Sequence, residues 1–243
     1  MPDHDAATYG DRMAEVYDEW FAVPPDTEDT VEFLSGLAGP GPVLELGIGT
    51  GRIALPLAQR RYEVHGVDAS EAMVEKLRGK NGGESIPVTI GDFAELDVEG
   101  EFSLLYVAFN TFFALLSQED QVRCFSNVSR RLREGGAFAI EAFVPDMTRW
   151  DQNQRVGTLH LEGASVVLEA SRHDPVEQRV ASNHLVVSEA GVKMYPVRLR
   201  YAWPSELDLM ARLAGLRLRE RWGGWLREPF TASSVRHVSV YER

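Results

Sequence analysis

The chain has 243 residues, a formal net charge of −12 and one cysteine, Cys124; 44% of its residues are hydrophobic and 26% are charged. This composition is that of an ordinary globular protein, and the length allows one sizeable domain with an insertion. The acidic balance without a basic cluster opposes binding to nucleic acid, and a single cysteine excludes an internal disulfide.

The sequence predicts neither a signal peptide nor a membrane segment. The run Met1-Pro2-Asp3-His4-Asp5 has no basic start and no apolar core. No apolar run approaches the ~20 residues that a membrane helix needs. One cysteine also fits a reducing compartment. We therefore expect a cytoplasmic protein, folded as a single domain over residues 1–243, that has no membrane as a partner.

Residues 1–38 are predicted to be helical. Apolar side chains recur at helical spacing from Tyr9 to Phe21, and Pro24-Pro25 ends this first element. A second helix runs from about Thr27 to Ala38. The run Gly39-Pro40-Gly41-Pro42 then breaks the chain before the first strand.

Strands and helices alternate from residue 43 to residue 143. Short apolar runs predict strands at 43–46, 64–67, 87–90, 102–108 and 137–143. Helices are predicted at 52–60, at 71–78 with Ser70 as N-cap, and from Ser117 to the break at Gly135-Gly136. Such alternation predicts a parallel sheet with helices on both faces.

About 60 residues separate the fifth strand from the next clear helix, too many for a structureless loop in a compact domain. Residues 145–202 contain strand-like stretches at 158–161, 165–170, 180–187 and 197–201. We predict an antiparallel β insertion that lies as a lid over the mouth of the active site; the alternative is a plain extension of the sheet. The chain then closes with a helix at 205–214 and strands at 216–222 and 237–241.

A glycine turn follows the first strand and precedes a helix, the geometry that holds nucleotide-like ligands. It reads Gly47-Ile48-Gly49-Thr50-Gly51, and Asp68 ends the second strand about 20 residues later, where a carboxylate can accept the hydroxyls of a ribose. The turn is G-x-G-x-G and not the dinucleotide pattern G-x-G-x-x-G. Glu45, just before it, would repel a pyrophosphate and suits a ligand with positive charge.

These residues resemble the class I S-adenosylmethionine-dependent methyltransferases. The run from Glu45 to Gly51 matches their first motif, Asp68 their second, and Gly91-Asp92-Phe93 their third. Within the class, the chain is similar to bacterial small-molecule enzymes of natural-product biosynthesis, including amino-sugar N,N-dimethyltransferases and peptide N-methyltransferases. The resemblance implies a single Rossmann-like, doubly wound methyltransferase domain. Its seven-stranded sheet would have the order 3-2-1-4-5-7-6, with the last strand antiparallel.

The resemblance also implies a cofactor, S-adenosylmethionine, and roles for individual residues. The implied cofactor-binding residues are Tyr9, Glu45, Gly47, Gly49, Thr50, Gly51, Asp68, Ala69, Met73, Gly91, Asp92, Phe93 and Phe109. The acceptor is expected to contact Tyr17, Trp20, Asn110 and Phe113. Core packing explains Met73 and Phe113 equally well, and Asp92 after Gly91 could be a turn former.

Methyl transfer needs alignment and exclusion of water more than covalent chemistry, although an oxygen acceptor usually needs a general base. Our catalytic candidates are Tyr17 and His184, which lies in the middle of a strand of the insertion. Other candidates for a base are His160, His173, His237 and Glu141. The loop at 108–113 lacks the aspartates of metal-dependent catechol enzymes, so no metal is expected.

The sequence therefore predicts an enzyme that methylates a small molecule or a short peptide at nitrogen or oxygen. The insertion leaves a homodimer open, since in resembling enzymes it forms either a substrate lid or a dimer contact. A non-catalytic adenosylmethionine-binding or scaffold protein is the first alternative. A nicotinamide-dependent oxidoreductase is the second.

Overall fold

The computed structural model of the chain describes residues 6–20 and 26–243. The predicted helix end at Pro24-Pro25, with Phe21, lies outside these residues. Within them, no helix is both long enough and apolar enough to cross a membrane.

A seven-stranded sheet forms the centre of the fold, in the order β3-β2-β1-β4-β5-β11-β10. Its first five strands are parallel, and β11 runs antiparallel to β5 and to β10. The predicted order and the antiparallel last strand are confirmed. The strands are β1 (Val43–Leu46), β2 (Val64–Asp68), β3 (Val88–Ile90), β4 (Phe102–Val107), β5 (Leu132–Phe143), β10 (Arg217–Trp222) and β11 (Arg236–Glu242).

Helices cover both faces of this sheet, as the βα alternation predicts. They are α1 (Thr8–Met13), α2 (Tyr17–Trp20), α3 (Thr27–Leu37), α4 (Ala54–Gln59), α5 (Glu71–Arg78), α6 (Gln118–Arg131) and α7 (Pro204–Leu213). Apolar residues of α3 and α4 pack on one face, and those of α6 and α7 pack on the other. Every residue of β1 and β4 is consequently buried, as is typical of a central parallel strand.

The N-terminal stretch is two short helices and not the single helix that its apolar spacing predicts. A turn at residues 14–16 separates α1 from α2. Each helix is bonded to a different part of the domain: the Ser70 hydroxyl donates to Asp11 over 2.6 Å, and the Thr50 hydroxyl donates to Asp18 over 2.6 Å. Lys80 forms an ion pair with Asp18 at 2.7 Å. These distant contacts are invisible to helical periodicity, which is why the break was not predicted.

One predicted helix end is confirmed and another is wrong. Ser70 caps α5, because its hydroxyl accepts the Met73 amide at 3.2 Å. The glycines at 135 and 136, however, do not end α6, since the helix stops at Arg131 and both glycines lie within β5.

A second, four-stranded antiparallel sheet follows β5, in the order β6-β7-β8-β9. Its strands extend further than the predicted stretches: β6 (Gln154–Glu162), β7 (Ser165–Asp174), β8 (Arg179–Ser188) and β9 (Gly191–Arg200). The end of this sheet is fixed to the main domain by Arg200, which is 6% exposed. Its guanidinium donates to Gln121 on α6 over 2.6 Å and pairs with Glu206 on α7 at 2.8 Å.

Candidate active site

One large cavity, of about 1030 Å³, lies between the carboxyl ends of the parallel strands and the four-stranded sheet. Ligands of open α/β sheets bind beyond these strand ends, and the volume is at the upper limit for a small-molecule site. The cavity is lined mainly by the loops after β1 to β5, by the helices α1 and α2, by residues of the four-stranded sheet that follows β5, and by Asp120 of α6.

The glycine turn after β1 forms the floor of the cavity. Gly47 has φ 72°, and a Cβ there would lie 2.4 Å from Thr111, so a side chain is excluded. Gly49 has φ 54° and borders open space, so its backbone is accessible to a ligand. Gly51 packs beneath the turn and does not line the cavity.

Asp68 fastens this turn to the start of α5. One carboxylate oxygen accepts the Gly49 amide at 2.7 Å, and the other accepts the Ser70 amide at 2.9 Å. Burial raises the pKa of Asp68, while the two amides act in the opposite direction. Because a carboxylate has about four lone-pair positions, it retains capacity to accept hydroxyl groups from the cavity.

Glu45 lies behind the turn and is 5% exposed. It accepts a hydrogen bond from the Tyr106 hydroxyl at 2.9 Å. Burial raises the pKa of Glu45 to about 8, against the opposing effects of Tyr106 and Arg52. The residue faces a second, small cavity of about 30 Å³, which it shares with Tyr17. A carboxyl group with a pKa raised in this way can lose its proton when a positive charge is placed nearby.

Residues after β2 and β3 form the next part of the floor. Ala69, Met73, Asp92 and Phe93 all line the main cavity, as the resemblance implies for an adenine pocket. Asp92 is also a turn former, because its carboxylate accepts the Ala94 amide at 2.8 Å. Met73 is 3% exposed and packs in the cluster that joins α1 to α5 and β9, so it is a core residue that also borders the cavity.

The loop after β4 has a strained backbone at the edge of the cavity. Phe109 and Asn110 are consecutive non-glycine residues with φ of 56° and 64°. Glu141 on β5 holds the loop by accepting the Phe109 amide at 2.8 Å, and the Asn110 side chain accepts the Phe143 amide at 2.7 Å. Arg236 in turn lies 3.3 Å from the Glu141 carboxylate.

The N-terminal helices close one side of the cavity with aromatic rings. Tyr9, Tyr17 and Trp20 all line it. Burial raises the pKa of Tyr17 to about 12 and also raises that of Tyr9. Both phenols are therefore neutral near pH 7, which suits Tyr17 to donating a hydrogen bond better than to abstracting a proton.

Comparison with known proteins gives the family. A methyltransferase-domain family matches residues 43–136. The cypemycin N-terminal methyltransferase of a Streptomyces species is 30% identical over 202 residues, which cover 83% of this chain and 82% of that protein. The structure of the CcbJ methyltransferase from Streptomyces caelestis is 46% identical and covers 98% of this chain and 99% of its own, with a TM-score of 0.93.

The chain is an S-adenosylmethionine-dependent methyltransferase. A more distant structure shares the fold of this methyltransferase at 21% identity and a TM-score of 0.69. It is SAM-bound CalS10, an aminopentose methyltransferase from Micromonospora echinaspora, and the match covers 93% of this chain and 96% of that one. The alternatives of a scaffold protein and of a nicotinamide-dependent oxidoreductase are therefore set aside.

The floor of the methyltransferase cavity fits the cofactor of the family. The backbone at Gly49 is open to a ligand, and the Asp68 carboxylate beside it keeps acceptor capacity. Buried or half-buried carboxyl groups at Glu45, Asp68 and Asp92 suit a molecule that carries a sulfonium and an ammonium group. No cluster of histidine, cysteine or acidic residues that could hold a metal ion occurs within residues 6–20 and 26–243.

Five residues that the sequence assigned to the site lie outside the main cavity of the methyltransferase, and one of them is Glu45, which borders the small cavity described above. Phe113 is fully buried in the core, edge-on to Phe143 at 5.0 Å, so it does not form an acceptor wall as predicted. Thr50 is 1% exposed and borders only the small cavity, with its hydroxyl bonded to Asp18. Gly51 and Gly91 line neither cavity.

Of the four histidines named as candidate bases, two line the main cavity and two do not. His160 and His184 line the main cavity. His173 is buried, stacks on Trp150 with ring centroids 4.9 Å apart, and lies 3.0 Å from the Tyr201 hydroxyl. His237 is buried in β11 against Ser239, and burial lowers its pKa to about 3. Neither of these two lines the cavity, so neither can act as the base.

Glu169 is a cavity residue that the sequence did not reveal. It lies on β7 directly opposite His184 on β8, and both side chains line the methyltransferase cavity. Only the register of the two strands brings them together. The position of this one acidic residue within the apolar stretch from Val166 to Ala170 was the signal in the sequence that could have indicated it.

Proposed function

We propose that this methyltransferase acts on an amine nitrogen of a small natural-product-like molecule or a short peptide. The observation that carries the proposal is the acidity of the cavity. Carboxylates line it throughout, against the two arginines Arg149 and Arg198; they belong to Glu19, Asp68, Asp92, Asp120, Asp146 and Glu169. Such a lining attracts a cationic amine and repels an anionic acceptor. The similarity to an enzyme named as an N-terminal methyltransferase supports the same acceptor chemistry.

On the cofactor side, we assign each group a role in binding S-adenosylmethionine. Asp68 would accept the ribose hydroxyls, and the turn with Glu45 would hold the methionine part. Ala69, Met73 and Phe93 would enclose the adenine, with Asp92 at its amino group. When bound, the cofactor supplies an electrophilic methyl group on a positively charged sulfur. Tyr9 and Phe109, which line the cavity as aromatic rings, would stabilise that charge.

On the acceptor side, the chain orients a nucleophile and excludes water. Tyr17 would donate a hydrogen bond, and Trp20 would cover the reacting centre. The Asn110 amide oxygen is already bonded to Phe143, so its amino group is left to contact an acceptor. Alignment within a closed cavity is worth several orders of magnitude in rate without covalent chemistry.

The test is a panel of matched acceptors: amino sugars, cyclic secondary amines and short peptides, each beside the counterpart with a hydroxyl in place of the amine. Mass spectrometry of the products locates the added methyl group, and Asp68→Ala serves as the control with weakened cofactor binding. We expect methylation of the amines only. Methylation confined to the hydroxyl compounds would refute the proposal.

A further inference from the structure

The four-stranded sheet closes one side of the cavity with both apolar and polar residues. Val167, Val180, Val186, Val197 and Leu199 line the cavity from this sheet. Between them lie Glu169, Ser182 and His184. Polar groups in such surroundings are costly unless they are paired. We call these three residues the roof cluster. Each of them is expected to have a hydrogen-bond partner in the protein or in a bound ligand.

Glu169 has unused capacity to accept hydrogen bonds. Its side chain is 16% exposed. One oxygen accepts the Ser182 hydroxyl at 3.2 Å; the other lies 3.6 Å from Arg149 and 3.9 Å from Arg155, beyond the range of a hydrogen bond. The carboxylate is thus held in place at the cavity while most of its lone pairs remain available.

His184 is the immediate neighbour of this carboxylate. The two residues are opposite each other in the antiparallel pair, which places their Cβ atoms about 4.5–5.5 Å apart. Tyr195 on β9 is the next residue across, and the Trp20 ring on α2 is 6.2 Å away. Nδ1 of His184 is buried without a hydrogen-bond partner, and a buried polar atom in that state indicates a missing ligand.

The protonation of His184 is set by two opposing effects. Burial lowers its pKa, and the charge of Glu169 on β7 raises it. Glu169 is the charged group that faces the imidazole; Tyr195 faces it from β9, and Trp20 faces it from α2. Burial is the larger effect, so the imidazole is neutral at physiological pH and able to accept a proton.

We propose that Glu169 and His184 form an ammonium-binding pair, in which Glu169 binds the protonated amine of the acceptor and His184 takes up one of its protons. The N–H bond breaks, the proton moves to the imidazole, and the electron pair stays on nitrogen as the nucleophile. The positive charge that moves to His184 remains beside the Glu169 carboxylate. This inference rests on the proposed function, since it assumes that the acceptor is an amine.

Methyl transfer to an amine requires that its nitrogen be unprotonated. A protonated amine has no lone pair, and an aliphatic amine with a pKa near 10 is neutral in only about one molecule in 10³ at pH 7. A positioned base eases that restriction by accepting the proton inside the cavity, and it typically contributes about 10²- to 10⁴-fold in rate.

The first test needs no acceptor. Imidazole resonances of the full-length protein are followed by NMR as a function of pH, and His184 is assigned by the signal that disappears in His184→Gln. Glu169→Gln removes the neighbouring negative charge, so the pKa of His184 should fall. Glu189→Gln, an exposed glutamate in the turn after β8, is the matched control and should leave it unchanged. An unchanged pKa in Glu169→Gln would refute the pair whatever the acceptor is.

The second test uses the best amine from the acceptor panel. His184→Gln should lower kcat/KM at pH 7 by about 10²-fold or more, with activity recovering as the pH approaches the pKa of the free amine. Glu169→Gln should raise the acceptor KM about tenfold or more and leave the Kd of S-adenosylmethionine unchanged. If His184→Gln keeps the wild-type pH profile, or both variants lose cofactor binding equally, the roof cluster is only structural. If the wild-type protein methylates no amine, the proposed function itself fails, and the role of the pair fails with it.

Discussion

The raised pKa of Glu45 predicts that binding of S-adenosylmethionine depends on pH. At neutral pH the buried carboxyl group of the ligand-free protein is mostly protonated, because its pKa is about 8. A cationic ligand favours the ionised form, so binding should expel the proton. The affinity for S-adenosylmethionine should therefore rise with pH. It should level off above the pKa of Glu45, where the carboxyl group of the ligand-free protein is already ionised.

The size of the effect follows from that pKa. The ionised fraction of Glu45 is about 1% at pH 6, about 9% at pH 7 and about half at pH 8. The Kd for the cofactor should therefore fall roughly 50-fold from pH 6 to pH 8, with about 0.9 protons released per molecule bound at pH 7.

Isothermal titration calorimetry at pH 7, in two buffers that differ in ionisation enthalpy, counts the protons released; the same titrations at pH 6 and 8 give the Kd. Glu45→Gln is the control, because glutamine keeps the shape of the side chain but cannot ionise. Any pH effect that comes from ionisation of the ligand itself appears equally in this variant. A Kd that varies equally in wild type and Glu45→Gln would refute the reasoning.

Three further changes should have measurable effects. Asp68→Ala leaves the Gly49 amide without its acceptor and should weaken cofactor binding about 10²-fold by calorimetry, with about 1–3 kcal/mol of stability lost; an unchanged Kd would contradict the assignment. Glu141→Leu leaves the Phe109 amide unpaired, so it should lower the free energy of unfolding in urea by about 3 kcal/mol and should also lower kcat. Glu141→Gln can still accept that amide, so it should retain most of the stability and most of kcat. Arg200→Met leaves the Glu206 carboxylate without its ion-pair partner and should lower the free energy of unfolding in urea by about 3–5 kcal/mol. A loss below about 1 kcal/mol would show that this anchor of the four-stranded sheet is dispensable.

The floor of the site could be predicted because its signals are local in the sequence. The glycine turn, Glu45 before it and Asp68 at the end of the next strand each have a position fixed by a short strand–turn–helix unit. The order of the main sheet came with the resemblance to the family. Strand boundaries there were accurate to within one residue because the buried strands are short apolar runs, except that β5 begins at Leu132 and not at residue 137.

The roof could not be predicted in the same detail, because it depends on contacts between distant residues. His184 was noticed only as a histidine in a strand, whereas its pairing with Glu169 depends on the register of β7 against β8. Phe113 illustrates the reverse error. An aromatic residue beside a site loop looks like a contact for the acceptor, but the short helical turn after Asn110 directs it into the core.

The division of the cavity between two separate stretches of chain has a practical consequence for protein engineering. The contacts assigned to the methyl donor come mainly from residues 43–110. The Glu169–His184 pair assigned to the amine lies within residues 154–200, which contact the rest of the domain through the Arg200 network and through Tyr195 in the cluster with α1 and α5. Exchanging the second stretch between relatives, with Arg200 and its glutamine and glutamate partners retained, should transplant acceptor preference while donor use stays the same. Homologous enzymes of this design could thus diversify their products by replacing one sheet.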